Sequence, residues 1–218
     1  TGQMDIGWTP SWHAPTSQQV IVAVIDSGVD LAHEDLKEAI AYNSAECGEN
    51  NQIPTGPTGD PDKNGFEGDC AGWNFAAPPS APQRARFPDD DVGHGTHVAG
   101  LIAARIKNGV GISGISNSIK ILPLKVYNQR ELRVSLSQST ISERVAKAIE
   151  YAVTRRVGVI NLSMGWPVAA HTPRLRSAIE LALSKNIPIV AGAGNDRHGM
   201  QIFPCAQEGV VCVGSLDI

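Results

Sequence analysis

Apolar residues gather in four short segments of the chain. The segments are rich in valine, isoleucine and leucine with little polar alternation, and they cover residues 19–25, 120–126, 157–163 and 187–191. Continuous apolar runs of this length are typical of strands that are buried on both faces of a sheet. The pattern therefore predicts four buried strands.

Amphipathic helices are predicted between the later strands. One opens with the capping-box sequence of residues 140–143 and ends at Arg155 and Arg156, whose charges suit the negative end of a helix dipole. The next begins with Thr172 as its cap and Pro173 in its first turn. Strands that alternate with such helices predict an α/β fold of three layers, in which a mostly parallel sheet carries helices on both faces.

Length and composition favour one domain over residues 1–218. The chain has 218 residues, of which 42% are hydrophobic, and two stretches without hydrophobic periodicity, 43–72 and 78–91, are predicted to be surface loops. A net charge of −4 gives no basic surface for a phosphate backbone. The longest apolar runs are far shorter than the roughly 20 residues of a membrane helix. We therefore expect neither a nucleic-acid partner nor a membrane span.

Four cysteines form two pairs that are local in sequence, Cys47 with Cys70 and Cys205 with Cys212. Two local disulfides are the favoured pairing among three possible ones, and buried free thiols are the alternative. Disulfides indicate a secreted protein or another extracytoplasmic oxidising compartment. No basic and apolar leader precedes Thr1, so either the protein never had a signal peptide or this is a mature form from which a leader and a pro-segment were removed, and we expect the second.

Polar residues stand where the predicted strands end. Asp26 ends the first strand, residues 161–165 end the third, and Asn195 closes a glycine-rich turn after the fourth. Carboxyl ends of parallel strands meet at one edge of a sheet, and His94 opens a helix that is expected beside that edge. Asp26 and His94 together can make a base for a hydroxyl nucleophile. The amide of Asn195 can donate to an oxyanion.

The motifs around these residues resemble the subtilase family. They follow one another in the family's order at residues 24–30, 94–100, 161–165 and 193–195. The resemblance implies a subtilisin-like serine endopeptidase in which Asp26 orients the base, His94 acts as general base and then general acid, and Asn195 donates to the oxyanion. It also implies that backbone walls of the substrate pocket come from Ser163, Met164, Gly165, Gly192, Ala193 and Gly194.

The family's nucleophile lies in a Gly-Thr-Ser motif downstream of the oxyanion asparagine, and no such motif precedes Ile218. Ser215 stands where the family has a strand. We therefore expect this chain alone not to hydrolyse peptides. The expected partners are a peptide or protein substrate, a pro-segment inhibitor, and a downstream segment or second chain that carries the serine. A truncated chain, a nicked chain and a split protein remain open.

Oxygen-bearing side chains at alternate positions predict a calcium loop at residues 60–69, with a solvated acidic turn as the alternative. The ligands expected there are Asp60, Asp62, Asn64, Glu67 and Asp69. The family resemblance alone implies a second calcium site, at which Asn108 could instead merely form a turn. That site would use the side chains of Gln3, Asp35 and Asn108 and the carbonyl groups of Val110 and Ile112.

Two other function classes are alternatives to a serine protease. His94, His97 and Asp26 could bind a metal and make a metallohydrolase, but the glycine between the histidines and the lack of a third acidic ligand argue against it. The chain could also be a pseudoprotease or a binding partner that uses the substrate groove without cleaving. Such a protein is distinguished from a protease by whether the chain continues into a Gly-Thr-Ser segment.

Overall fold

A parallel sheet of six strands forms the centre of the molecule. The computed structural model describes residues 18–133, 137–167, 172–195 and 202–215. Within them the strands lie in the order β2-β3-β1-β4-β6-β8, and every neighbouring pair is parallel. The strands are β1 (Val20–Asp26), β2 (Trp73–Asn74), β3 (Ile119–Lys125), β4 (Val159–Leu162), β6 (Ile189–Gly192) and β8 (Val211–Val213). A separate antiparallel pair consists of β5 (Trp166–Pro167) and β7 (Ile202–Phe203).

Helices cover both faces of this sheet. They are α1 (His94–Ala103), α2 (Gln129–Arg133), α3 (Gln138–Thr154) and α4 (Pro173–Ser184). Side chains of β1 alternate between two apolar clusters: Val22 and Val24 join the cluster of α1, while Ala23 and Ile25 join the cluster of α3 and α4. Because both faces of β1 are buried, its sequence carries no polar alternation. The predicted three-layer α/β fold is confirmed.

The helix ends follow local chemistry, with one correction. The predicted cap of α4 is confirmed, since the Thr172 side chain accepts from the backbone N–H of Leu175. The predicted start of α3 at the capping box is wrong. The helix begins two residues earlier, because the hydroxyl of Ser137 accepts from the N–H of Thr140 and thereby caps the first turn.

The two stretches predicted as loops, 43–72 and 78–91, contain no regular structure except the short 3-10 helices Glu49–Asn51 and Pro82–Arg86, and the two-residue strand β2 lies between them. Disulfides join Cys47 to Cys70 and Cys205 to Cys212, which is the pairing that the sequence favoured. Among the described residues, no helix is long and apolar enough to cross a membrane.

Candidate active site

Asp26 and His94 meet at the carboxyl end of β1. Asp26 is the last residue of that strand and is completely buried, while the side chain of His94, the first residue of α1, is 48% exposed. The Nδ1 atom of His94 lies 2.8 Å from Oδ1 of Asp26 and 2.9 Å from Oδ2. An ionised carboxylate only accepts hydrogen bonds, so Nδ1 carries the proton and Nε2 is left as an acceptor.

Two glycines allow α1 and the loop before it to approach the end of β1 closely. A Cβ atom on Gly95 would lie 2.1 Å from the carbonyl oxygen of Gly28, and one on Gly28 would lie 2.3 Å from that of Pro88. Gly28 also has a φ of 102°, which favours glycine. The N–H of Gly95 donates to the Ser27 hydroxyl at 2.9 Å, which ties the helix start to the strand end. The distance between Asp26 and His94 thus depends on this glycine contact.

Asp90 caps α1 from outside the helix. The residue at the cap position is Gly93, which has no side chain to accept a hydrogen bond. Instead, Asp90 accepts from the N–H groups of Val92, Gly93 and Thr96 and from the Thr96 hydroxyl. Burial raises the pKa of Asp90, but these hydrogen bonds outweigh it, and the pKa lies below its usual value. Sequence analysis missed Asp90, although an aspartate just before a helix is a usable signal.

Lys125 ties the loop before α1 to the end of β1. It is buried, and its Nζ donates to the carbonyl groups of Ser27 and Asp89 at 2.9 and 2.8 Å and to the carboxylate of Asp91 at 2.6 Å. Lys125 also pairs with Asp26 in the register of β3 against β1. The available sequence signal is a lysine that ends an otherwise apolar strand.

Tyr127 is a third residue that sequence analysis missed. Its hydroxyl donates to Oδ1 of Asp26 at 2.9 Å. Burial raises the pKa of Tyr127, and the negative charge of Asp26 raises it further. No local motif predicts this contact, because the two residues lie 101 positions apart in the chain.

The predicted pocket residues line one open cleft of about 750 Å³ between the ends of β4, β6 and β8. Asn195 stands at its rim with an exposed side chain, after Gly194, whose φ is 91°. The six predicted wall residues all line this cleft: Ser163, Met164, Gly165, Gly192, Ala193 and Gly194.

Two serines near the motif residues are engaged in local hydrogen bonds. The Ser27 hydroxyl is buried and accepts from the helix start, as described above. The Ser163 hydroxyl accepts from the side-chain amide of Asn161 at 2.9 Å. Ser215 lines the cleft beside β8.

Three carboxylates converge beside the predicted calcium loop. Oxygen atoms of Glu46, Asp60 and Asp62 all lie within 4.8 Å of one another. Glu46 is 2% exposed; its Oε2 accepts from the N–H of Gly68, and its Oε1 is buried without a hydrogen-bond partner. Burial raises the pKa of Glu46, and the charges of Asp69 and Asp62 raise it further. The hydrogen bond from Gly68 lowers this pKa but does not outweigh them. A buried orphan oxygen beside two carboxylates fits a cation such as calcium.

The other predicted ligands of this loop have different partners. Asp69 is buried and accepts from the Tyr151 hydroxyl at 2.7 Å and from the Asn64 amide at the same distance. Glu67 turns away and forms an ion pair with Arg86 at 2.7 Å. The structure therefore brings Asp60 and Asp62 together with Glu46, which the sequence did not indicate, and directs Glu67 elsewhere.

At the second predicted calcium site, Asp35 and Asn108 are in contact. Asp35 is buried and accepts from the amide nitrogen of Asn108 at 2.6 Å and from the N–H groups of Arg105 and Ile112, each at 3.1 Å. The amide oxygen of Asn108 accepts from the N–H of Val110. Hydrogen-bond donors thus surround the carboxylate of Asp35. Gln3 lies outside the described residues.

The arrangement gives no support to a metal bound by His94, His97 and Asp26. Within residues 18–133, 137–167, 172–195 and 202–215, the carboxylate cluster of Glu46 is the only one that brings three such ligand atoms within 4.8 Å. His97 lines a different cavity, on the side of α1 near Asp35.

Comparison with known proteins identifies similar proteases. The major intracellular serine protease of Bacillus subtilis (strain 168) is 31% identical over 206 residues, which cover 92% of this chain and 52% of the relative. The thermophilic serine proteinase of Bacillus sp. (strain AK1) is 30% identical over 196 residues, or 90% of this chain and 38% of the relative. The chain therefore spans about half, or less, of these curated relatives.

Solved structures share the fold. The S41 psychrophilic protease superimposes with a TM-score of 0.62 at 24% identity, over 89% of this chain and 52% of that one. A likeness at that identity supports the fold alone. The sequence match extends further, because residues 17–218 match the model of the subtilase family. The chain therefore belongs to the subtilase family.

Proposed function

We propose that this chain supplies the base, the orienting acid and the oxyanion donor of a subtilisin-like serine endopeptidase. The observation that carries the proposal is the hydrogen bond from His94 to the buried carboxylate of Asp26. Asp26 holds the imidazole proton on Nδ1, so Nε2 can take a proton from a serine hydroxyl and later give it to the leaving amine. The names of the two Bacillus relatives, a serine protease and a serine proteinase, support this reading.

The cleft beside Asn195 is the proposed substrate site. Residues 163–165 and 192–194 line it, and the side-chain amide of Asn195 at its rim can donate to the oxygen that becomes negative during acyl transfer. Removal of one such donor typically slows turnover by about 100-fold to 1,000-fold.

The nucleophile is proposed to come from a further polypeptide segment that packs beside β8. That strand lies at one edge of the sheet, and Val211 and Val213 are 50% and 53% exposed. Among the described residues no strand pairs with its outer edge, and apolar side chains on such an edge favour pairing with another segment. A Gly-Thr-Ser segment on this side would reach the cleft that β6 and β8 border.

We propose that calcium binds to Glu46, Asp60 and Asp62, with a structural role. Calcium prefers carboxylate oxygens, and the buried Oε1 of Glu46 lacks any other partner in the described structure. The two disulfides support an extracytoplasmic, oxidising location.

The test is to supply the downstream Gly-Thr-Ser segment, in cis or as a second chain, and to add a serine-directed fluorophosphonate probe and a protein substrate. We expect labelling and cleavage, and His94→Ala should lower turnover by about four orders of magnitude or more. His97→Ala, on the same helix but facing another cavity, is the matched control and should retain activity. A completed protein that folds but neither labels nor cleaves would contradict the proposal and favour a non-catalytic binding protein.

A further inference from the structure

The geometry points to Tyr127 as a positioning residue that shares the charge of Asp26 with His94 and so moderates the pull of Asp26 on the imidazole. Its hydroxyl and the His94 ring both bond to the same carboxylate. The hydrogen bond is a property of this chain, and only its catalytic consequence rests on the proposed function.

Three donors converge on one oxygen of the Asp26 carboxylate. Oδ1 accepts from the backbone N–H of Ser27 at 2.7 Å, from the Tyr127 hydroxyl at 2.9 Å and from Nδ1 of His94 at 2.8 Å. Oδ2 lies 2.9 Å from the same Nδ1. Because the carboxylate is completely buried, these donors rather than water disperse its negative charge. Each donor therefore weakens the hold of the carboxylate on the other two.

The direction of the Tyr127 hydrogen bond is fixed. An ionised carboxylate has no proton to give, so the phenol must be the donor. Burial raises the pKa of Tyr127 and the nearby Asp26 charge raises it further, so the hydroxyl keeps its proton wherever a histidine titrates. Tyr127 is therefore a constant donor while the protonation of His94 changes.

The backbone holds Tyr127 in this position. Val126 lies directly after β3, and its N–H donates to the carbonyl oxygen of Asp26 at 2.8 Å. The ring of Tyr127 packs against the apolar cluster of α3 and α4, with its hydroxyl at the carboxylate. A tyrosine that merely filled space at this point would tolerate phenylalanine without any effect on His94.

Other charged groups around the pair have partners that do not involve Tyr127. From β3, Lys125 binds the loop before α1. Asp90, which precedes α1, accepts from the first turn of that helix. Asp30, which follows β1, accepts from the N–H of Ala32. The Ser27 hydroxyl also interacts with Tyr127 and accepts from the N–H of Gly95, but it is Asp26 that bonds to Nδ1 of His94, so a shift of that proton reports on Asp26.

The test is Tyr127→Phe in the chain with ¹⁵N-labelled histidine, followed by NMR at several pH values. We expect the Nδ1 proton of His94 to move downfield and the affinity of the ring for a second proton to rise about threefold to tenfold. A hydrogen bond to a charged group changes an equilibrium constant by about tenfold or more, and we expect His94 to sense part of that change. An unchanged Nδ1 proton and unchanged proton affinity, or a change in the opposite direction, would overturn the proposal.

Tyr151→Phe is the matched control. It deletes a hydroxyl that donates to another buried carboxylate, that of Asp69, at 2.7 Å. It should therefore disturb the fold to a similar extent but leave both His94 signals unchanged.

A second measurement applies if Tyr127→Phe does not fold. In the chain with ¹³C-labelled tyrosine, Asp26→Asn should shift the Cζ resonance of Tyr127, which reports on the hydroxyl's hydrogen bond, and leave that of Tyr151 in place. Equal Tyr127 resonances in both proteins would overturn the proposal. None of these measurements needs a nucleophile, so their outcome is separate from that of the serine-directed probe.

Discussion

At the scale of single residues, the site combines groups that are fixed with one that is exposed. Asp26 is buried and held by its strand end, whereas His94 is about half exposed and depends on its hydrogen bond to Asp26 for orientation. Asn195 is exposed on a glycine turn at the rim of the cleft. An exposed donor is free to meet a substrate, so its contribution should appear only when substrate reacts.

Asn195→Ala tests that assignment in the completed enzyme. If the amide donates only as charge develops on the oxyanion, the substitution should lower kcat by about two to three orders of magnitude and leave KM nearly unchanged. Turnover and melting temperature are measured in parallel. A lower melting temperature with normal turnover per folded molecule would mean that Asn195 only supports its turn.

Local motifs could predict only part of this site. Asp26, His94 and Asn195 lie within short motifs, and the residue types of those motifs indicate an acid, a base and an oxyanion donor. Tyr127 bonds to a residue 101 positions away, and Glu46 bonds to Gly68, which lies 22 positions away. Contacts of this kind depend on how strands and loops pack, and no single stretch of sequence records them.

At the scale of elements, the position of His94 depends on the start of α1, because His94 is the first residue of that helix. Asp90 neutralises the exposed N–H groups of its first turn. The pKa of Asp90 is lower in the folded chain than its usual value. Its contribution to stability is therefore complete above the unfolded pKa, near 3.9, and is lost as pH falls through the folded pKa.

Asp90→Asn should thus flatten the acid side of the stability curve. Urea unfolding at pH 6 and at pH 3 gives the free energy of unfolding at each pH. We expect the wild-type chain to lose more of that free energy between the two pH values than Asp90→Asn, by about 1 kcal/mol, as for other helix caps. Glu208→Gln, which alters an exposed carboxylate elsewhere, should behave like the wild type. Equal losses in wild type and Asp90→Asn would refute the capping role.

Replacement of Glu46 in the cluster with Asp60 and Asp62 should have opposite effects on stability without calcium and with calcium. Glu46→Gln removes a buried charge that lies beside two other carboxylates and has one oxygen without a partner, so the calcium-free chain should melt higher than wild type. The same change removes a ligand, so added calcium should stabilise it little. For wild type, calcium at about 100 times its dissociation constant should add about 2.7 kcal/mol.

Glu67→Gln is the matched control for that prediction. Its carboxylate pairs with Arg86 rather than joining the cluster, so the stabilisation by calcium should persist. Equal melting temperatures of the wild-type chain with calcium and with chelator would remove the site. Loss of the calcium effect in Glu67→Gln but not in Glu46→Gln would restore the ligand set expected from sequence.

Element types were more predictable than element ends. Each of the four buried strands was recognised within two residues, because a sheet covered on both faces demands continuous apolar runs. Strands β2, β5 and β7, of two residues each, and β8 gave no such signal, since a strand that short or that exposed has no pattern to repeat. Helix α3 was misplaced at its start because Ser137 and Thr140 are both good caps.

At the scale of the whole molecule, the two edges of the sheet differ. Strand β2 is half buried at one edge, whereas all three residues of β8 are exposed at the other. The interior strands β1 and β4 are paired on both sides. The molecule is therefore most open where the proposed nucleophile segment would pack.

Amide hydrogen exchange should report this asymmetry. We expect amides of β8 to exchange at least about tenfold faster than those of β1, because edge elements open locally without global unfolding. Supplying the serine-bearing segment should slow exchange in β8 and leave β1 unchanged, as measured by mass spectrometry of peptides from each strand. Unaltered exchange in β8 after the segment restores activity would place its docking surface elsewhere.

The strand order has a consequence for synthesis on the ribosome. Among the described strands β1 is made first, yet it pairs with β3, which ends at Lys125, and with β4, which ends at Leu162. Such long-range parallel pairing requires the closure of large loops and is slow to form. The middle of the sheet therefore cannot close until Leu162 has emerged, and until then the apolar segment of residues 19–25 is exposed to aggregation.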